Sequence, residues 1–432
     1  MKFNKHQLIL GLVALSSSSA FAAGFQLQEQ NITNMGSAFS GTAASSDNAS
    51  QNFYNVASMT HTPCTNVSLA AVSILTSGKV TTTSATSNSG AAVTDNNIDH
   101  PGTFTELPSF GVAHRLSNHW FLGFNVATPF GLQTQYGETK NVRYVATRSE
   151  LQTFDFSPAL AYRFNKHWGA GVGYNATFVR AHLDASLAGA SPNGNTDGYV
   201  KNEGSDWASS WKIGLLYDLN DATRFGLQYR SKMDVGIRNG KSNQVNPVSL
   251  GGDGTTITQS LFNADIVLPE TATLSVRHKA SHRWTILGDV SWTNWNRFKN
   301  LALVFQPNGN TIANVNEHWK DSWRVAAGLE HNYSERWTLR FGGAYDASPV
   351  DDKHRTARIP DNDRIWAGVG ATYHVNNHVS IDGGYDHIFI KKAMFNDLGP
   401  VGATGARVSD ASAAGESKGN GDVFGLQLNV SY

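Results

Sequence analysis

The chain has a single cysteine, Cys64, in 432 residues. No internal disulfide framework can therefore hold it, and a lone cysteine is most often an inert packing residue. It has no excess of either charge, since 34 Lys and Arg stand against 34 Asp and Glu. A nucleic-acid surface needs a basic patch, and none is expected here. After residue 22 there is no run of about 18 apolar residues, which excludes a membrane-spanning helix. The fifteen histidines are scattered, and His119, His167, His282 and His378 sit in short polar turns. No nucleophile elbow or metal-ligand pair accompanies them, so no catalytic residue, metal site or cofactor is expected. The run from Asp351 to Arg355 mixes signs without the spacing of a metal loop and is read as a solvated loop.

What is present is a repeat. Leu116-Ser117-Asn118-His119-Trp120 returns as Phe164-Asn165-Lys166-His167-Trp168, as Leu219-Asn220-Asp221-Ala222-Thr223 and as Ala280-Ser281-His282-Arg283-Trp284. Tyr333-Ser334-Glu335-Arg336-Trp337 and Val375-Asn376-Asn377-His378-Val379 complete the set. Each is a small polar turn of residues that hydrogen-bond their own backbone. On both sides apolar and polar residues alternate, as in Trp168, Ala170, Val172, Tyr174, Ala176 and Phe178. Alternation flanking a tight turn is a β-hairpin signal. Six short turns at one end imply seven longer connections at the other, hence about fourteen strands. The long connections fall near 76–105, 129–152, 184–208, 232–265, 299–318, 346–361 and 391–421, and within them 183–190 and 260–268 carry apolar residues.

This pattern describes an all-β chain, a transmembrane antiparallel β-barrel of the outer-membrane type. Aromatic residues make up 11% of the chain and glycines number 41, which suits strands with one lipid-facing side. A secreted β-sandwich or β-propeller is the soluble competitor. Lys2 and Lys5, the apolar stretch 8–15 and Ala20-Phe21-Ala22 read as a signal peptide over 1–22. Its removal leaves 32 basic against 34 acidic residues. At the other end Phe424, Leu426, Leu428, Val430 and Tyr432 alternate with polar residues up to the last position. That ending resembles the closing strand of outer-membrane barrels, through which the assembly machinery recognises its clients.

Residues 23–63 show neither helix nor strand period and are rich in Ser, Asn, Ala and Gly. Here Ala23-Gly24-Phe25-Gln26-Leu27, the Gly36, Ala38 and Gly41 spacing, Asp47 and Asn55-Val56-Ala57 resemble the N-terminal hatch of the FadL family. Further landmarks are Thr128-Pro129-Phe130-Gly131-Leu132, Tyr229-Arg230-Ser231, Trp292-Thr293-Asn294-Trp295 and Ile359-Pro360-Asp361-Asn362-Asp363-Arg364. The family transports long-chain fatty acids and other hydrophobic compounds across the outer membrane. The resemblance implies a monomeric barrel over 64–432, plugged by the hatch, with ligand leaving sideways through a gap beside a kinked strand. Lateral release keeps an apolar molecule out of water. In the family an Asn-Pro-Ala stretch of the hatch faces that gap, and Asn55, Val56 and Ala57 stand in its place. Gly123 and Pro129 are the candidates for the kink.

Alternation places Trp319, Trp323, Val325, Leu329, Trp337, Phe341 and Tyr345 toward lipid, and Lys320, Ser322, Arg324, Glu330 and Arg340 inward, with Arg115, Arg163, Arg277, Asp289 and Asp382. A charge on the lipid side costs about 2–4 kcal/mol at the midplane, so most inward charges are expected to pair with one another or with the hatch. For a carboxylate ligand, Lys320 and Arg324 are the expected head-group partners. Arg180 is a further candidate if a bulge turns it inward, and Phe25 is expected to line the pocket. The positions of the family's head-group cations fall on Ala185 and Val315, which leaves a neutral or aromatic ligand as the alternative. A barrel enzyme and a purely structural barrel are the readings of other classes.

Overall fold

The computed structural model describes residues 24–94, 97–189, 197–247, 252–306, 309, 311–402 and 404–432. The leader expected over 1–22 lies outside the described residues. The wall is a closed antiparallel barrel of fourteen strands. In chain order they are β1 (Thr65–Thr86), β2 (Thr103–Arg115), β3 (Trp120–Ala127, resuming as Gly131–Gln135), β4 (Arg148–Arg163), β5 (Trp168–Leu187) and β6 (Gly198–Asp218). Then follow β7 (Thr223–Arg230 and Met233–Val245), β8 (Ile257–Leu268 and Thr271–Lys279), β9 (Trp284–Thr293 and Asn300–Phe305) and β10 (Thr311–Asn316 and Ser322–Asn332). The last four are β11 (Trp337–Asp346), β12 (Arg364–His374), β13 (Val379–Asp397) and β14 (Ser412–Ser431). Successive strands pair, and β14 closes on β1 from Asn66 opposite Ser431 to Thr86 opposite Ser412.

The six turns share one device. Their second residue accepts a hydrogen bond from the backbone N–H three positions on: Ser117 from Trp120, Asn165 from Trp168, Asn220 from Thr223, Ser281 from Trp284, Ser334 from Trp337 and Asn376 from Val379. This local bond satisfies a donor that the hairpin leaves free, which is why Ser and Asn recur there. Just inside the turns, exposed aromatics form one girdle, with Trp120 on Tyr162, Trp168 on Tyr217 and Trp337 on Tyr373. Trp207, Trp211, Trp323, Tyr345 and Tyr385 form the other. Two aromatic girdles bounding an apolar outer band are what a bilayer requires.

Six of the seven long connections are shorter than expected, the one between β11 and β12 being the exception. β5 and β6 run on together as far as Leu187 and Gly198, and β7 pairs β8 out to Val245 and Ile257. Above the membrane neither face must be apolar, so alternation fades while the hydrogen-bonded ladder continues.

Residues 24–63 fill the lumen as short 3-10 turns, Met35–Ser37, Thr42–Ala44, Ala49–Asn52 and Val56–His61, and are almost wholly buried. Side chains of the wall tie them down. Asp289 accepts from the Thr42 N–H and hydroxyl, Asp382 from the Thr33 hydroxyl, and Gln427 from the Ile32 N–H. Several wall glycines face this plug; at Gly342 a Cβ would lie 2.1 Å from the Ser37 carbonyl oxygen.

Candidate functional site

Five wall strands are interrupted at their outer halves: β3 at 128–130, β7 at 231–232, β8 at 269–270, β9 at 294–299 and β10 at 317–321. Pro129 and Pro269 cannot donate to a ladder and sit in two of these breaks. A break suspends alternation, so side chains that would face lipid turn inward. Phe130, Trp295, Phe298 and Trp319 do so and surround Phe25, with ring centroids 6.3, 4.7, 5.4 and 5.5 Å from its own. Burying the Phe25 ring among them stabilises this arrangement by about 2–3 kcal/mol. Gly24 N–H donates to Asp361 and Phe25 carbonyl accepts from Gly131 N–H, so the start of the hatch is pinned on both sides. Phe25 also lines the cleft above it.

Above this aromatic plug lies a cleft of about 490 Å³, part of it open to solvent, lined by Phe25, Leu132, Leu151, Leu183, Ile266 and Phe298 with Glu150, Glu317 and Arg358. Arg358 is the cation of the chamber. One guanidinium nitrogen donates to the Arg148 carbonyl at 3.2 Å and to Ser149 at 3.0 Å. No carboxylate stands within ion-pair distance of it among the described residues. Burial pulls its pKa below the usual arginine range, against the fields of Asp397, Asp184 and Glu317. Glu317 accepts from the Trp319 indole at 2.9 Å, and burial pushes its carboxyl up to about 8.

The expected head-group cations lie elsewhere. His318 has φ 44°, a left-handed turn within the β10 break. It resets the parity of the strand, so Trp319 is buried rather than lipid-facing, and Lys320 points out to solvent rather than inward. Arg324 faces inward as expected, yet its guanidinium donates to the hatch carbonyl of Ala38 at 2.5 Å and lies over the Trp366 ring at 5.4 Å. It holds the hatch and does not reach the chamber. Arg180 is exposed, because β5 pairs both neighbours without a bulge there. Arg355, read as part of a solvated loop, is 2% exposed and donates to the Asp361, Met394 and Val350 carbonyls. Arg358 was missed because two loop residues separate it from that run; its position directly before the Ile359-Pro360-Asp361 landmark was the available signal.

The strand is interrupted at Pro129 and runs unbroken through Gly123. Gly123 lies in unbroken register with Ala113 and Ala159, and a Cβ there would lie 2.1 Å from the Met59 sulfur of the hatch. Beyond Ala127 the strand bends inward. Gly131–Gln135 pairs β4 alone, while β2 pairs β3 only from Phe110 to Arg115. The ladder between β2 and β3 thus stops at Phe110 opposite Val126, and the wall is parted above it. Asn55, Val56 and Ala57 do not face this gap. Asn55 donates to the Leu215 carbonyl, and Val56 N–H to Gln228, which sets the motif against β6 and β7. The hatch residue at the gap is Gln30. Its amide exchanges two hydrogen bonds with the Thr128 backbone, at 2.7 and 2.8 Å, and its carbonyl accepts from Ser109 across the opening. No sequence pattern marked Gln30.

A family model described as outer membrane protein transport protein (OMPP1/FadL/TodX) matches residues 13–432. The long-chain fatty acid transport protein of Escherichia coli O157:H7 is 28% identical over 466 residues, covering 100% of this chain and 99% of its own. Outer membrane protein P1 of Haemophilus influenzae is 27% identical over 471 residues and covers 100% of both. Among solved structures, a Pseudomonas aeruginosa FadL homologue superposes with TM-score 0.84 at 20% identity, covering 95% of this chain and 100% of that one. The Pseudomonas putida toluene transporter TodX gives 0.68 at 15%, with 95% and 100% covered. These two likenesses establish the shared fold. With a plugged barrel, a chamber at its outer end and a family match over nearly its whole length, the chain belongs to the OMPP1/FadL/TodX family of outer-membrane transport proteins.

Proposed function

We propose that the protein takes up a long-chain fatty acid passively, holding its tail in the apolar chamber and its carboxylate at Arg358. The acid leaves sideways through the gap between β2 and β3. The reading rests on one observation above all: an apolar cleft lined by one half-buried cation, Arg358, which no carboxylate pairs with among the described residues. A guanidinium in an apolar pocket discriminates for a carboxylate, because a neutral ligand leaves its charge uncompensated. The relatives named as fatty acid transport proteins agree with it. A route through the wall avoids re-solvating the tail in a water-filled pore.

The test is binding of palmitate and hexadecanol to protein purified in a detergent that does not mimic a fatty acid. Arg358→Met should weaken palmitate about tenfold and leave hexadecanol within about twofold. Equal affinities in the unchanged protein, or a preference for an aromatic hydrocarbon, would overturn the carboxylate reading. They would favour a neutral ligand, which apolar Ala185 and Val315 would suit.

A further inference from the structure

Below the Phe25 plug the inward face changes character within two positions. Thr153 and Val179 face each other across β4 and β5 at the level of the plug, and Asp155 and Thr177 come next below. Asp155 is fully buried and lies opposite Ala127, the last residue of β3 before the parted wall. Its carboxylate pairs with Arg230 at 3.0 Å and accepts from the hydroxyls of Thr177 at 2.5 Å and Ser157 at 3.1 Å. One carboxylate is thereby used up by one arginine.

A second cation is buried at the same place. Lys212 is the cross-strand partner of Arg230 and is 1% exposed. Its ammonium has only a 3.4 Å contact to the Asn52 carbonyl and a place 6.0 Å from the centre of the Phe53 ring. No carboxylate stands within ion-pair distance of it among the described residues. Arg230, itself 7% exposed, keeps one guanidinium nitrogen, Nη2, buried with no partner. Two basic side chains thus stand beside one carboxylate beneath the hatch. A buried positive charge without a counter-ion is costly, and an unpartnered guanidinium N–H beside a lysine is a donor set aimed at an anion.

We infer that Lys212 and Arg230 form a second, inner binding station for the carboxylate of an amphipathic acid, between the outer chamber and the parted wall at β3. The inference rests on the proposed uptake of such an acid but on a different part of the molecule. Arg358 accepts the head group at the outer end. The inner pair draws it past the plug, to the height at which Asp155 borders the gap. The carboxylate is then never far from a cation while its tail stays among apolar side chains.

The experiment is uptake of palmitate and of hexadecanol by proteoliposomes carrying the full-length mature protein, compared with Lys212→Met, which removes the charge and keeps the bulk. Palmitate uptake should fall about tenfold with hexadecanol uptake unchanged, and equilibrium binding at the outer chamber should be unaltered. Arg230→Met would leave Asp155 unpaired and confuse folding with function, so Lys212→Arg is the second variant. It should recover most of the palmitate uptake. Equal loss for acid and alcohol would make Lys212 a support for the hatch, and no loss for either would mean that no anion visits it. Either result overturns the station. Failure of Arg358→Met to affect palmitate binding would overturn the outer site alone, because the inner station is read from uptake.

Discussion

The two ends of the lumen hold the hatch differently. Around Phe25 the contacts are mainly aromatic and aliphatic; around the remainder of the hatch, apolar packing of Ile32, Met35, Phe39, Val56 and Met59 is joined by hydrogen bonds donated to wall carboxylates and amides. Apolar contacts have no direction, so an apolar ligand can take the place of the Phe25 ring at little net cost. Hydrogen bonds do have direction, and breaking one in a buried site leaves both partners unsatisfied. The plug is therefore replaceable by ligand where ligand arrives and fixed where the pore must stay closed.

The strongest way to break the contrast is to remove the hatch from both ends at once. Deleting residues 24–57 should leave a barrel that still inserts but passes small hydrophilic solutes, as measured by single-channel conductance. Conductance at the closed level would mean that the wall itself seals the pore. A smaller effect is expected from Arg324→Ala. It deprives the Ala38 carbonyl of its donor and the Trp366 face of its cation, and should destabilise the protein by about 2–3 kcal/mol in urea unfolding. Lys320→Ala, on the exposed side of the β10 break, should stay within about 0.5 kcal/mol and leave palmitate binding unchanged.

The smallest effect concerns the apolar half. At pH 7 the Glu317 carboxyl, lifted by burial to about 8, is mostly protonated and does not compete for Arg358. As pH rises through 8 it ionises and places a negative charge in the same cleft. Palmitate affinity should accordingly fall between about pH 7 and pH 9 while hexadecanol affinity stays level. Glu317→Gln should remove the dependence, and an unchanged slope in that variant would assign it to another group.

Much of the wall was legible because it repeats. Six turns with Ser or Asn at one position, and side chains alternating with the pleat, gave the strand number and the inward faces of Arg324, Glu330 and Arg340 correctly. Counting failed where a strand breaks. One left-handed residue, His318, reversed the parity of Trp319 and Lys320 and sent the head-group assignment to the wrong side. The breaks of β9 and β10 bring Phe298 and Glu317 to the chamber, and its cation comes from the loop between β11 and β12, where alternation gives no direction. Gln30 was hidden for a related reason: its partner Thr128 is 98 residues away, and nothing local in a Gln marks it as a latch.

The sequence by itself determined the class of the molecule. Local turn chemistry and a period of two are short-range properties, and so is the absence of any long apolar run, and together they specify a barrel in a bilayer. The tertiary structure decided which groups meet. Phe25 with Trp295 and Trp319, Arg358 with the apolar cleft, Lys212 with Arg230 and Gln30 with the parted wall are contacts between distant segments. Their geometry depends on where strands break and bend, and those interruptions are fixed by the packing of the hatch against the wall.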